Sequence, residues 1–275
     1  MKKILFSLIA LSMIGIFLSS CNESEELNDI SSTEDMTLIE DVLNSIEESA
    51  DETTFALTED TELESRGNPC VEKTSTAPLG QYPNTITLDF GDGCEGPHGR
   101  VRKGKIIIDI SDKMHNEGAV RIVSFDEFFV DEVQVTGSRS ITNNGQNDEG
   151  NTYFTKEVTG IQLIFPNGEI ASRDALHIMT FLEGYDTPQR FDNVMSISGN
   201  ASGVSRSGVE YSAEIVEDLI KRGNCRWIVS GIKEITRDDQ TVSLDYGDGA
   251  CNRAAVVTFE DGSTKEINLY RKWWK

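Results

Sequence analysis

Several residue types on which chemistry depends are scarce in this sequence: three histidines, five cysteines and six prolines among 275 residues, with aromatics at 8%. His98, His115 and His177 share no metal-ligand spacing and no H-E-x-x-H frame, so each is expected on the surface or in a strand. No C-x-x-C pair occurs, which argues against a zinc site. Ser202 in Gly199-Asn200-Ala201-Ser202-Gly203 lacks the elbow of a serine hydrolase, and the Gly- and Ser-rich stretch 196–207 predicts a bulge or a close backbone approach. Basic residues are few, 25 Lys and Arg against 47 Asp and Glu, for a net charge of −22. Such a chain has no basic surface to follow a phosphate backbone, so nucleic acid is not an expected partner. No apolar run reaches the roughly 20 residues a membrane-spanning helix needs. The low aromatic content disfavours a lipid-facing barrel with its aromatic girdles. No Pro- or Ser-rich linker divides 67–275, which therefore reads as one globular domain, and no cofactor signature accompanies it.

What is present begins at the amino terminus. Lys2 and Lys3 precede an apolar run over 4–17, interrupted only by Ser7, Ser12 and Gly15, and Leu18-Ser19-Ser20-Cys21 follows. A basic start, a short apolar stretch and small residues at a cleavage point form the order of a secretion signal, here 1–20. Leu18-Ser19-Ser20-Cys21 resembles the lipobox of bacterial lipoproteins, which implies that Cys21 becomes the diacylated first residue of the mature chain. Two or three acyl chains, at about 0.8 kcal/mol per buried methylene, make a firm membrane attachment. Ser24-Glu25-Glu26 resembles the Ser-acidic-acidic export tag of Bacteroidota-type outer-membrane lipoproteins. That resemblance implies display on the cell surface, with the periplasmic face of the outer membrane as the alternative.

The acidity is concentrated behind that cysteine: residues 22–66 hold sixteen acids and one base, Arg66, whereas 67–275 carry −9. Residues 21–66 are therefore expected to be an acidic, solvated tether. Within it, Met36, Ile39, Val42, Leu43 and Ile46 have helical spacing, with Ser32 or Thr33 as an N-cap and Glu34 and Asp35 at the positive helix end. This predicts a short helix, docked on the domain or frayed in the tether.

From residue 85 onward β-branched and aromatic runs alternate with turn residues. Strands are predicted over 85–90, 105–110, 119–124, 128–135, 152–158, 160–165, 169–171, 176–181, 194–197, 209–215, 226–235, 241–246, 254–259 and 265–270. Asn167-Gly168 and Asp261-Gly262 suit tight hairpin turns, and 143–150 reads as a looser polar tip. The expected class is all-β: an antiparallel meander forming a large curved sheet, a sandwich or a soluble barrel, one face buried and one wet.

A duplication marks both ends of the domain. Arg66-Gly67-Asn68-Pro69-Cys70 is echoed by Arg222-Gly223-Asn224-Cys225, and Asp89-Phe90-Gly91-Asp92-Gly93-Cys94 by Asp245-Tyr246-Gly247-Asp248-Gly249-Ala250-Cys251, giving related units at 66–94 and 222–251. The repeat favours pairing Cys70 with Cys94 and Cys225 with Cys251, crossed pairing being the alternative. Asp89 and Asp92, or Asp245 and Asp248, offer hard oxygens for calcium, although neither string continues as an EF-hand and a glycine turn leading into a disulfide is the plainer expectation. Trp273 and Trp274 close the chain, suited either to a last strand or to ligand contact. Among 47 acids no catalytic carboxylate pair stands out. The chain resembles Bacteroidota-type envelope lipoproteins throughout. Its expected role is binding or envelope structure, with a glycan or an envelope protein as partner; the alternative is an exported hydrolase or a glycan-binding accessory protein.

Overall fold

The computed structural model describes residues 23–58, 70–96, 99–187 and 189–269, with side chains of the first segment described for 33–54. One helix, α1 (Glu23–Thr58), precedes fourteen strands in a single antiparallel sheet. They are β1 (Glu72–Ser75), β2 (Asn84–Asp89), β3 (Cys94–Glu95), β4 (Val101–Ile110), β5 (Val120–Val130), β6 (Val133–Gln146), β7 (Thr152–Ile164), β8 (Ile170–Glu183), β9 (Val194–Val204), β10 (Glu210–Arg222), β11 (Ile228–Arg237), β12 (Gln240–Asp248), β13 (Ala254–Thr258) and β14 (Thr264–Asn268). Each strand pairs with the next, apart from the two-residue β3, which pairs only with β4. The all-β meander is therefore a large curved sheet, not closed into a barrel and not split into a sandwich.

Simple succession places alternate connections at opposite ends of the strands. One end, the short-turn rim, holds the β5–β6, β7–β8, β9–β10, β11–β12 and β13–β14 turns of two to five residues. The other, the long-loop rim, holds connections of five to ten residues, including 111–119 and 184–193. The Asn167-Gly168 and Asp261-Gly262 turns form as expected, with Gly168 and Gly262 in the left-handed region at φ 86° and 81°.

Curvature comes from bulges. Register shifts interrupt β4–β5, β6–β7, β7–β8, β9–β10 and β10–β11, and each inserted residue bends and twists its strand. A bulge also explains why the sequence divides β7 into two shorter runs, since the shift between Val158 and Ile161 breaks its alternation without ending the strand, whereas β8 reads as two because Ser172-Arg173-Asp174 interrupts its apolar residues while the pairing runs on. The expected strand 128–135 instead spans a hairpin, because Asp131 and Glu132 turn the chain at φ 47° and 70°. The polar tip placed at 143–150 starts later, at Asn147, since β6 runs on to Gln146.

The sheet curls around α1. Met36, Ile39, Val42, Leu43, Ile46 and Ala50 are buried in the same core cluster as Ile86, Ile106, Leu163, Leu244 and Val257. Within 33–54 only Asn44, Glu48 and Glu52 are exposed, a single line at i, i+4, i+8. The helix is enclosed on every other side. A row of small residues seats it: Ala175, Ala201 and Ala213 lie directly opposite one another on β8, β9 and β10, and all three are buried. Close packing between strands continues beside the row, where a Cβ on Gly203 would fall 2.0 Å from the Ser172 carbonyl oxygen, in the stretch expected to show such an approach. Burying the six large helix side chains Met36, Leu38, Ile39, Val42, Leu43 and Ile46 stabilises the docked state by about 10 kcal/mol before the entropy of ordering is counted.

Of the two expected placements the helix takes the docked one: 33–54 lie in the core, their acids meeting cationic partners on the sheet. One expectation is corrected: the helix begins ten residues before Thr33, which is not an N-cap but a buried residue inside it.

Candidate functional site

The enclosed helix meets a ladder of cations on the concave face of the sheet. Inward-facing positions on β8 are Ala171, Arg173, Ala175, His177 and Met179, so a charged residue occupies a core position of an otherwise apolar face. Arg121 on β5, Arg139 on β6, Lys156 on β7 and Lys233 on β11 occupy similar positions. Glu40 receives Arg173 Nη2 and Lys233 Nζ, both at 2.7 Å, on one oxygen. Burial alone would raise the Glu40 pKa, but Lys233 and Arg173 outweigh it and bring the carboxyl down to about 2. Glu47 behaves alike: burial opposes ionisation, Arg121 and Arg139 prevail, and the group lies at about 2. Arg121 also reaches Asp51 Oδ1 at 2.8 Å.

Cations outnumber their partners in the distal half of this ladder. Lys156 shares the neighbourhood of Glu47 with Arg139 and Arg121, and burial together with Arg139 lowers its ammonium to about 8. His177 faces Arg173, Lys233 and Glu40; burial first, then the two cations, hold its imidazole down to about 3, so it is neutral at pH 7.

Asp41 connects the two duplicated ends. Its Oδ2 pairs with Arg100, just beyond the first disulfide, and its Oδ1 accepts from Arg226 Nη2 at 3.2 Å, just beyond Cys225. One helix carboxylate thus draws both ends of the open sheet against α1. At the short-turn rim Asp35 accepts from the backbone N and Nε of Arg206 at 2.8 and 2.6 Å; burial nevertheless raises its pKa. A cavity of about 30 Å³, enough to admit water, lies beside this pair, between Leu38, Arg206 and Leu269.

A separate aromatic cluster forms at the long-loop rim. Phe154, Phe181 and Tyr185 meet with ring centroids 4.9–6.1 Å apart, and His115 lies 5.6 Å from Tyr185. Ile141, Met179, Met114 and Met195 pack beneath them, and Asn143 Nδ2 donates to the Met114 carbonyl at 2.9 Å, fixing the 111–119 loop. His115 is exposed and Phe191, in the neighbouring 184–193 loop, is 63% exposed.

The positions singled out from sequence fare differently. Cys70–Cys94 and Cys225–Cys251 are disulfides, as the repeat implied. They lie at opposite rims, because β1 and β11 run in opposite directions across the sheet. Asp89 and Asp245 act identically, each Oδ1 accepting from the backbone N two residues on, Gly91 and Gly247, at 2.8 Å. Asp92 and Asp248 are exposed, and among the described residues no group of three or more His, Cys, Asp or Glu is arranged to hold a metal ion. His177 is a strand residue, as expected; Cys21, His98, Trp273 and Trp274 lie outside the described residues. The cation ladder was missed, although its signal is present: Arg139, Lys156, Arg173 and Lys233 share strand parity with apolar neighbours, and the acids of α1 flank its apolar positions. No protein-family model matches the chain, and no curated protein and no solved structure does either.

Proposed function

We propose that this chain is a lipid-anchored lipoprotein of the outer membrane, displayed on the cell surface, whose β domain serves in binding or in envelope structure. The carrying observation is Leu18-Ser19-Ser20-Cys21 placed directly after a basic start and a short apolar run. Two disulfides fit an oxidising compartment. Among the described residues no helix is long and apolar enough to cross a membrane, so a lipid on Cys21 supplies the attachment in this reading. Binding rather than hydrolysis is supported by the face that carries the rings: edge-to-face aromatics with an exposed Phe191 suit the face of a sugar or a partner's side chains.

Mass spectrometry of the natural protein tests the anchor. An amino-terminal peptide starting at Cys21 with acyl chains attached is expected, and Cys21→Ala should release the protein from the membrane fraction. A mature chain that keeps Met1, or lacks fatty acid, would remove the attachment. Protease added to intact cells should digest the domain; full protection would place it on the periplasmic face.

A further inference from the structure

The helix gives the curled sheet a direction. Asp35 is held by Arg206 in the β9–β10 turn, at the short-turn rim. Sixteen residues later, the Asp51 carbonyl accepts from Arg190 in the β8–β9 connection, at the long-loop rim. Between them the pairings of Glu40 with Arg173 and of Glu47 with Arg121 follow the strands from one rim toward the other. Against β5–β10, α1 therefore runs from the short-turn rim to the long-loop rim, while it crosses β4 and β11 obliquely, Arg102 at the start of β4 donating to Ser49 and the Ser45 carbonyl and Arg226 before β11 donating to Asp41. Upstream of Thr33 it continues as helix for ten residues, to Glu23, a length of about 15 Å. Cys21 stands two residues before Glu23, within about 7 Å of it along even an extended chain.

We infer that α1 is a stem that stands the β domain upright on the lipid surface, with the short-turn rim facing the membrane and the long-loop rim facing away. This rests on the lipid attachment at Cys21 proposed above. A tether of flexible chain would leave the domain free to tumble; a helix whose far end is the core of the domain transmits its direction to the whole sheet. Charge bears on the stand-off and not on the choice of rim. The short-turn rim carries the exposed acids Glu132, Asp238, Asp239, Glu260 and Asp261, which an anionic lipid surface repels. A stand-off of about 15 Å exceeds the Debye length of about 8 Å at physiological salt, so the stem is long enough to relieve that repulsion without bringing the rim to the lipid. The surface turned outward is then the rim that bears the His115, Tyr185 and Phe181 rings and the exposed Phe191.

Fluorescence transfer in vesicles tests the orientation. Full-length lipidated protein is reconstituted into phosphatidylethanolamine–phosphatidylglycerol vesicles containing a headgroup-linked acceptor dye. The donor is placed on one added thiol, Pro166→Cys at the short-turn rim or Glu149→Cys at the long-loop rim. The thirteen residues of β7 separate these sites by about 40 Å, so transfer from position 166 should be at least roughly twofold that from position 149. Inserting Gly-Gly-Pro after Glu26 should bring the two signals together. Equal transfer in the uninterrupted protein, or stronger transfer from position 149, would overturn the upright stem; so would an insertion that changes nothing. Flotation of the same samples separates this failure from that of the anchor: a protein that floats but shows no rim preference refutes the stem alone, whereas one that fails to float refutes the anchor and the stem with it.

Discussion

Asp41 and Lys156 show how differently two charges can act in one interior. Asp41 neutralises Arg100 and Arg226 together, and Arg100 is almost wholly buried. Asp41→Asn leaves those cations without their carboxylate, and a broken buried pair costs about 3 kcal/mol or more, so its urea midpoint should fall well below that of the unaltered protein. Lys156 is the opposite case, a cation crowded by Arg139 and Arg121 and short of anions. Lys156→Met keeps the length of the side chain and removes the repulsion; it should stabilise by on the order of 1 kcal/mol in the same urea measurement. The carboxylates set the response to acid. Glu40 and Glu47, held near 2 in the folded state, contribute stability that is complete above the ordinary carboxylate value of 4.5 and is lost as pH falls toward 2. His177 acts in the same direction over a higher window: the unfolded chain takes up its proton near 6.5 and the folded chain only near 3. Glu40→Gln should be less stable at pH 7, with Arg173 and Lys233 left unpaired, yet lose less between pH 4.5 and 2 in urea titrations across that range. Strand parity marks these cations as facing inward, but it does not say which helix acids they meet.

At the level of elements, the strands were legible where alternation is unbroken and misread where a bulge or a non-glycine turn intervenes. Turning at Asp238 and Asp239 with φ of 47° and 64° places two side-chain-bearing residues in a region that costs each about 1 kcal/mol. Replacing the pair by Asn-Gly should raise the melting temperature by a few degrees, with no change in the β-sheet circular dichroism. The helix was found from five apolar positions, but its upstream ten residues have no apolar period, and so they read as tether. Its seat was invisible for another reason. Ala175, Ala201 and Ala213 lie far apart in sequence and form a row only through the β8–β9–β10 register. Ala201→Leu would push a branched side chain into the buried alanine row beneath the helix. Overpacking of that kind costs about 1–3 kcal/mol, and urea unfolding should show the loss, whereas Ser202→Leu on the opposite, wet face should change stability little.

At the scale of the molecule, the sheet is open, and it is the helix that makes a single core of it. The duplicated units were readable in sequence because cysteines and the D-x-G-D-G strings mark them; their arrangement at opposite rims was not, because it depends on how many strands lie between. Each disulfide staples only its own unit, closing separations of 24 and 26 residues. Neither crosses the gap between the sheet ends, so joining those ends is left to Asp41 and to the apolar face of α1. Without the helix, Ile86, Ile106, Leu163 and Leu244 would face water across an uncovered concave surface, and Arg173 and Lys233 would face each other without Glu40. A chain of 67–275 should therefore lack a cooperative unfolding transition while both disulfides remain intact. Supplying a peptide of 23–58 in trans should restore the transition and the β-sheet circular dichroism, in proportion to peptide occupancy. The same peptide with Glu40→Gln, Asp41→Asn and Glu47→Gln keeps the apolar face and loses the partners of the ladder. If it restored folding at the same concentration, charge matching would have no part in holding the sheet around its helix.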